Sequence, residues 1–230
     1  YVFAPSLIPR KSTDGSNKHD DADIVGSLPV FLVMIWYAVD HTLSSGGGVD
    51  TRWESTTMSS RAFLWLYIMR QLVALPFLFV STAKFSDKVL MTFHHVISIV
   101  AYGVAVHTRR MHWFATLDGC CEITTVFLDL LYAFKAANYK GIFNTINGIT
   151  LWATFLVFRL GLFPYWLWRF GSDITNHPEG TSAKVTTFEL LFYPATTVLL
   201  LAMSISWFAS LTKGMLKALG MLAGKAGKAT

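Results

Sequence analysis

Charged residues are scarce in this chain, and cysteine is nearly absent. Asp, Glu, Lys and Arg make up 14% of the 230 residues, whereas a soluble domain carries about a quarter, and 53% of the residues are hydrophobic. Cys120 and Cys121 are adjacent within an apolar segment, so no disulfide framework is predicted. The net charge of +5 is too modest to indicate a nucleic-acid partner, because Lys and Arg also gather at membrane edges. These features argue against a soluble domain, and we predict no nucleic acid among its partners.

Long apolar stretches dominate the chain instead. There are six, and each has about 18 to 23 residues, the length that an α-helix needs to cross roughly 30 Å of hydrocarbon. Their apolar runs are continuous rather than alternating, which indicates helices rather than strands. We therefore predict an all-α membrane protein, a bundle of about six transmembrane helices with the spans Ile24–Leu43, Ala62–Val80, Val89–Val106, Trp113–Tyr132, Ile142–Phe163 and Thr186–Phe208.

The polar segments define the domain organisation and the orientation. We predict a polar N-terminal arm over residues 1–23, a transmembrane domain over 24–208 and a basic tail over 209–230, with 164–185 as the longest connection. With six spans, eleven Lys and Arg residues lie on the side that holds both termini, and six lie on the other side. Because positive residues favour the cytosolic side, we expect both termini in the cytosol or in a matrix-like compartment.

Ionisable side chains occur inside the predicted spans, where they must face the bundle interior. In the fourth span, Asp118, Glu122, Thr125 and Asp129 follow one another at helical spacing and so share one face. Intramembrane charges of this kind are candidates for a functional site. We predict a polar interior cavity that binds a lipid, formed by Arg70, His94, His95, Asp118, Glu122, Asn147, Arg159 and Glu189.

Residue depth along the spans predicts how these groups pair. Adjacent helix residues point about 100° apart, so His94 and His95 are not expected to serve the same site. One of them is a candidate base or proton shuttle, with Asp129 as its partner, because histidine titrates near neutral pH. No third His or Cys stands at a suitable spacing, so we predict no metal site, and no cofactor is indicated. The alternative for each group is an ion pair that only fixes helix packing. The predicted layers are Arg70 with Glu122, His94 and His95 with Asp129, and Arg159 with Glu189.

Three motifs resemble those of the TLC-domain family, multi-pass membrane proteins that include the ceramide synthases. Together they cover residues from about 52 to 208, in the order and in the spans that the family uses. Two of them are similar to motifs of its non-synthase branch. The motifs are the His-His helix opening in Met91–Ser98, the Glu-x-Thr-x-x-Phe segment beginning at Glu122, and Asn147-Gly148 followed by Phe155, Phe158, Arg159 and Pro164.

The resemblance implies a lipid-related function with an incomplete catalytic motif. Ceramide synthases carry a His-Asp…Asp…Glu run after the His-His pair, and here only Asp118 stands near that place. The resemblance therefore implies lipid binding, lipid sensing or membrane-lipid homeostasis rather than catalysis, with membrane lipids as partners in an endomembrane or an organellar inner membrane. One alternative is a structural subunit that associates with other membrane-protein subunits. Another is an acyl-CoA-dependent N-acyltransferase with a degenerate motif, for which His94, His95 and Asp129 would be the catalytic candidates.

Overall fold

The fold is helical throughout the residues that the structure, a computed structural model, describes, namely 17–80 and 85–218. No strand occurs in these ranges, so the prediction of an all-α membrane bundle is confirmed. The α-helices of these ranges are α1 (Asn17–Ser45), α2 (Val49–Glu54), α3 (Met58–Val80), α4 (Phe85–Thr108), α5 (His112–Gly119), α6 (Ile123–Ala136), α7 (Ile142–Phe155), α8 (Leu162–Asn176) and α9 (Thr187–Ala218).

Five of the predicted spans correspond to helical stretches that are long and apolar enough to cross a membrane. The fourth predicted span is helical too, but a 3₁₀ turn at Cys120–Glu122 divides it into α5 and α6. This stretch also carries acidic residues, so it differs in both continuity and polarity from the others. The five long stretches are Ser27–Ser45, Val49–Phe79, Lys88–Thr108, Ile142–Asn176 and Thr187–Leu216.

The connection predicted at residues 164–185 is wrong in its first half. Helix α8 continues to Asn176, because Phe163, Trp166 and Phe170 recur at helical spacing and are buried against neighbouring helices. The non-helical connection to α9 is therefore much shorter than predicted and contains a 3₁₀ turn at Pro178–Gly180.

Two helices extend into the predicted terminal segments. Helix α1 begins at Asn17, inside the predicted N-terminal arm, and α9 extends to Ala218, inside the predicted basic tail. Residues 1–16, 81–84 and 219–230 lie outside the described residues. The orientation prediction rests partly on such positions, namely Arg10, Lys11, Lys84, Lys225 and Lys228.

The helices pack as a bundle of antiparallel neighbours. Helix α1 packs against α3, α5 and α6, α3 packs against α4, and α9 packs against α4, α7 and α8. An aromatic cluster fills the end of the bundle where α2, α5 and α8 meet, with Trp53 stacked on Phe170 at 5.2 Å and Trp166 stacked on Phe170 at 5.0 Å. Such rings bury a large apolar area and so fix the position of α2 and α8 on the bundle.

A π-helical segment, Leu156–Gly161, joins α7 to α8 within one long helical stretch. A π turn accommodates one more residue than an α turn and often occurs at functional sites. This segment contains Arg159, the charged residue near the end of the fifth predicted span. The local backbone therefore presents a cation to the bundle interior at the point where the helix changes its pitch.

Candidate functional site

Arg159 lies at the centre of the interior polar residues. Its Nε donates a hydrogen bond to Thr124 Oγ1 of α6 at 2.8 Å. Its guanidinium lies 5.3 Å from the ring centroid of Phe155 and 5.9 Å from that of Trp207 in α9. Arg159 therefore links the π segment to α6 through a hydrogen bond and to α9 through one cation–π contact, while its contact with Phe155 lies within its own helical stretch.

The acidic side chains near Arg159 come from the divided fourth span. Glu122 and Asp118 both interact electrostatically with the Arg159 guanidinium. Glu122 is buried and accepts a hydrogen bond from Thr125 Oγ1 at 2.7 Å, and Asp118 Oδ2 accepts one from the Tyr102 hydroxyl at 3.1 Å. Asp118 in the last turn of α5 and Glu122 at the end of the 3₁₀ turn therefore both contribute a carboxylate to the surroundings of Arg159.

The two adjacent histidines face different neighbours. Their ring centroids are 5.5 Å apart, and the His94 ring meets the Trp207 ring edge-on at 6.3 Å. His94 interacts electrostatically with Arg159, whereas His95 interacts with Arg70 of α3. The divergence expected for adjacent residues of a helix is therefore present, and each imidazole belongs to a different part of the interior.

Neither histidine uses all of its hydrogen-bonding capacity. Within the described part of the chain, Nδ1 of His94 and Nδ1 of His95 are buried and have no hydrogen-bond partner, and the same is true of Asp118 Oδ1. Buried polar atoms are normally paired, so each unpaired atom requires an explanation such as a bound ligand or water. The described residues contain no group of three or more His, Cys, Asp or Glu that could hold a metal ion.

Arg70 and Asp129 both contact α1. Asp129 Oδ2 accepts a hydrogen bond from Ser27 Oγ at 2.9 Å, across the contact between α6 and α1. The Arg70 guanidinium lies over the ring of Phe31, 5.4 Å from its centroid. The proposed partnership of the histidines with Asp129 stays a prediction.

Two other predicted site residues, Asn147 and Glu189, make hydrogen bonds within the helical framework, although Glu189 Oε1 is buried without a partner. Asn147 Nδ2 donates a hydrogen bond to the carbonyl oxygen of Phe127 at 2.8 Å and so ties α7 to α6. Glu189 Oε2 accepts hydrogen bonds from the Thr186 backbone N–H and hydroxyl, both at 2.8 Å, while its own N–H donates to Thr186 Oγ1. This is a capping box at the start of α9, and it corrects the predicted layer of Arg159 with Glu189.

A buried ion pair between two helices was not predicted from the sequence. Arg52 of α2 binds Asp173 of α8 through two hydrogen bonds, Nε to Oδ2 at 2.8 Å and Nη2 to Oδ1 at 2.6 Å. The indole N–H of Trp53 donates to the same carboxylate at 3.1 Å, and both charged side chains are almost fully buried. Arg52 lies between the first two predicted spans and Asp173 in the predicted 164–185 connection, so hydropathy does not indicate that they pair. The helical spacing of Phe163, Trp166, Phe170 and Asp173 was the signal that could have revealed it.

Two buried histidines near the same end of the bundle were also missed. His41 Nδ1 lies 2.9 Å from Thr57 Oγ1, and His112 Nδ1 lies 2.9 Å from Ser60 Oγ, which ties the start of α3 to α1 and α5. His112 Nε2 lies 3.1 Å from the carbonyl oxygen of Ala105. These contacts hold the helix ends together and are distinct from the interior cluster around Arg159.

Comparison with known proteins agrees with the motif resemblance. The sequence model of the TLC-domain family matches residues 24–213. TLC domain-containing protein 2 of Danio rerio is 37% identical over 71 residues, which cover 30% of this chain and 29% of that protein. The chain therefore matches less than a third of the length of this curated relative. No solved structure matches the chain.

Proposed function

Because this chain belongs to the TLC-domain family of multi-pass membrane proteins, we propose that it binds a membrane lipid through the polar side chains of its bundle interior. The family membership predicted from the three motifs is confirmed. The relevant side chains are those that converge on the π segment, and we call them the interior site: His94, His95, Asp118, Glu122 and Arg159.

The observation that carries the proposal is the open hydrogen-bonding capacity of the two histidines. Their Nδ1 atoms are buried without a partner within residues 17–80 and 85–218. A buried polar atom without a hydrogen bond costs about 1–3 kcal/mol, so a ligand that supplies a donor or an acceptor there gains binding energy. A lipid headgroup carries hydrogen-bond donors and acceptors. We propose that it enters the bundle to the level of the two histidines while the acyl chains stay in the hydrocarbon.

The charges of the interior site favour a headgroup that carries both signs or none. Arg159 supplies one cation, and Glu122 and Asp118 are acidic side chains close enough to interact with it. A purely anionic group would be repelled by these carboxylates, and a purely cationic group by Arg159. The proposed ligand is therefore a lipid with a zwitterionic or neutral polar headgroup.

We expect binding, sensing or regulation of membrane lipids rather than acyl transfer. Acyl transfer from a thioester needs a base and a group that stabilises the oxyanion. The acidic run of the synthases is reduced to Asp118, whose carboxylate accepts a hydrogen bond from Tyr102. This assignment to the non-synthase branch is part of the proposal, as are an endomembrane or organellar location and cytosolic or matrix-facing termini.

Native mass spectrometry of the detergent-solubilised protein tests the proposal. Loss of one hydrogen bond in a buried site is expected to reduce lipid retention about tenfold in His94→Ala and His95→Ala. The matched control is His107→Ala, which removes an exposed histidine from the same helix and should leave retention unchanged.

Three outcomes would contradict lipid binding at the interior site. Retention that is equal in His94→Ala, His95→Ala and His107→Ala would exclude the interior site. Formation of an N-acyl product from acyl-CoA and a long-chain base, lost in His95→Ala, would replace the proposal with the acyltransferase alternative. Purification only within a stoichiometric larger complex, without bound lipid, would favour the structural-subunit alternative.

A further inference from the structure

An apolar groove of about 610 Å³ runs along the outer side of the π segment. It is lined by Leu117 of α5, by residues 156–158 and 160–162, and by Tyr165 of α8. Its size lies within the range of small-molecule sites, about 300–1,000 Å³. Arg159 belongs to the same π segment but contacts Thr124 in the interior, so the segment separates this groove from the interior site.

The local backbone explains why the groove is open. Gly161 has no side chain to fill it, and a Cβ at this position would meet only the carbonyl oxygen of Leu156, at 3.6 Å. Val157 is 58% exposed on the wall of the groove, in a helical stretch that is apolar enough to cross the membrane. The groove is therefore open to the hydrocarbon of the bilayer.

A polar end continues the groove along α8. Tyr165 lies four residues after Gly161 and three after Leu162. Trp168 and Arg169 lie three and four residues after Tyr165, so these side chains extend the same helical face. The rings of Tyr165 and Trp168 are 5.8 Å apart, and the Arg169 guanidinium lies 5.9 Å from the Trp168 ring. Tyr and Trp prefer the membrane–water interface, which places this end of the groove at headgroup level.

The charge of Arg169 is only partly neutralised by the protein. Its Nε lies 3.7 Å from Asp173 Oδ1, beyond hydrogen-bonding distance, while Arg52 already binds both oxygens of that carboxylate. The Arg169 side chain is 28% exposed. A guanidinium with free N–H groups at headgroup level is suited to bind a phosphate with two parallel hydrogen bonds.

The length of the groove matches one leaflet of a bilayer. Leu156 precedes Tyr165 by nine residues, which corresponds to about 14 Å at the rise of an α-helix. Half of the hydrocarbon thickness is about 15 Å. An acyl chain that starts beside Tyr165 would therefore end near the bilayer midplane, beside Leu156.

We propose that this groove binds one glycerophospholipid of the leaflet on the side of the α8–α9 connection. One acyl chain lies in the groove along residues 156–162, and the phosphate accepts hydrogen bonds from Arg169 and the Tyr165 hydroxyl. The phosphate complements the charge of Arg169, and the apolar lining complements the chain. This site is separate from the interior site and does not depend on it.

Photo-crosslinking in vesicles tests the acyl-chain part of the site. The probe is a phosphatidylcholine with a diazirine in one acyl chain, and the expected products map to peptides that contain residues 156–165 and Leu117. Gly161→Leu fills the groove and should reduce this labelling about tenfold, as should Val157→Trp, which fills it from the exposed wall. The matched control is Gly148→Leu, because a Cβ at Gly148 meets nothing within 4 Å and lies outside the groove.

A second comparison tests the phosphate. Arg169→Gln should reduce labelling by the phosphatidylcholine probe about tenfold, the factor expected for one charge-assisted hydrogen bond. Arg109→Gln, on an exposed loop of the same side, should not change it. A diacylglycerol with the same diazirine chain but no phosphate should label weakly and be insensitive to Arg169→Gln.

Each possible result decides the proposal. Equal labelling of Gly161→Leu, Val157→Trp and Gly148→Leu would overturn the groove, and equal labelling by the two probes would overturn the phosphate contact. His94→Ala, which tests the interior site, should leave the labelling of residues 156–165 unchanged. Failure of one site is therefore distinguishable from failure of the other.

Discussion

Gly119 shows how one residue allows two helices to approach each other closely. It is the last residue of α5, immediately before the 3₁₀ turn, and a Cβ at this position would overlap the ring of Phe63 in α3. The Phe63 side chain is fully buried and meets the Tyr102 ring edge-on at 5.8 Å, so it has no space to move. The absence of a side chain at Gly119 is therefore required for α5 to approach α3.

We predict that Gly119→Ala lowers the stability of the protein. Overpacking a buried contact costs about 1–3 kcal/mol, and the effect is measured as a lower Tm in detergent. The control is Gly103→Ala in α4, where a Cβ meets nothing within 4 Å. Ala is the better helix former, so the control should be neutral or slightly stabilising. Equal Tm values for the two variants would contradict the close approach of Gly119 to Phe63.

The residue-level site was only partly predictable. The sequence identified ionisable residues by their position in apolar spans, and of these Glu122 and His95 are buried, whereas Arg159 and His94 are half-buried. It could not assign their partners, because a pairing depends on helix rotation and on the π segment. Glu189 illustrates this limit: depth suggested Arg159 as its partner, but a local capping box with Thr186 uses its carboxylate.

Lys184, on the surface, pairs with acidic side chains of α2. The Lys184 ammonium lies 2.7 Å from Glu54 Oε1, and this hydrogen bond raises the pKa of Lys184 above its ordinary value. Lys184 therefore stays charged at physiological pH. Both partners are exposed, so the pair contributes little to stability and joins the α8–α9 connection only loosely to α2.

At the scale of elements, the ion pair of Arg52 with Asp173 connects two helices that are far apart in sequence. It joins α2, which has only six residues, to α8 across one end of the bundle. A helix this short has little stability of its own, so its position depends on such tertiary contacts. The stacked rings of Trp53 and Phe170 reinforce the same connection.

Asp173→Asn should destabilise the protein strongly. It leaves the buried Arg52 guanidinium without its counter-charge, a change that typically costs about 3–5 kcal/mol. The expected result is a large decrease of Tm and of yield in detergent. Asp50→Asn is the control, because the Asp50 side chain is 80% exposed and lies 3.8 Å from Lys184. A Tm of Asp173→Asn that matches that of Asp50→Asn would show that the buried pair does not hold α2.

Helix α8 shows why an element boundary can be misjudged. Pro164 and the aromatic run after it suggested that the helix ends there and an interfacial connection begins. Proline removes one backbone hydrogen bond from a helix. Here it follows the π segment by three residues, where the hydrogen-bond ladder already changes, so the helix continues. The aromatic residues that face inward find their partners in α2 and α5, which the local sequence does not reveal.

For the whole molecule, we predict that the helical stretch Ile142–Asn176 crosses the membrane once, which would place the α6–α7 and α8–α9 connections on opposite sides. Lys140 lies on the first connection and Lys184 on the second. Both native cysteines are buried, so they give little background in thiol labelling. An impermeant maleimide should therefore label Lys140→Cys and Lys184→Cys from opposite faces of sealed vesicles. If both variants are labelled from the same face, the chain does not cross the membrane once between residues 140 and 184, and the prediction is wrong.

The amino-acid sequence by itself determined that this protein is an all-α membrane bundle. Continuous apolar stretches of membrane length leave the backbone no other way to satisfy its hydrogen bonds in hydrocarbon, and the motif order indicated the TLC-domain family. Only the tertiary structure decided where a 3₁₀ turn interrupts the fourth span, how closely Gly119 approaches Phe63, and where an open groove follows the π segment. These features depend on helix rotation and on close contacts between residues distant in sequence, such as Gly119 with Phe63 and Arg52 with Asp173. Local hydropathy contains no information about such contacts.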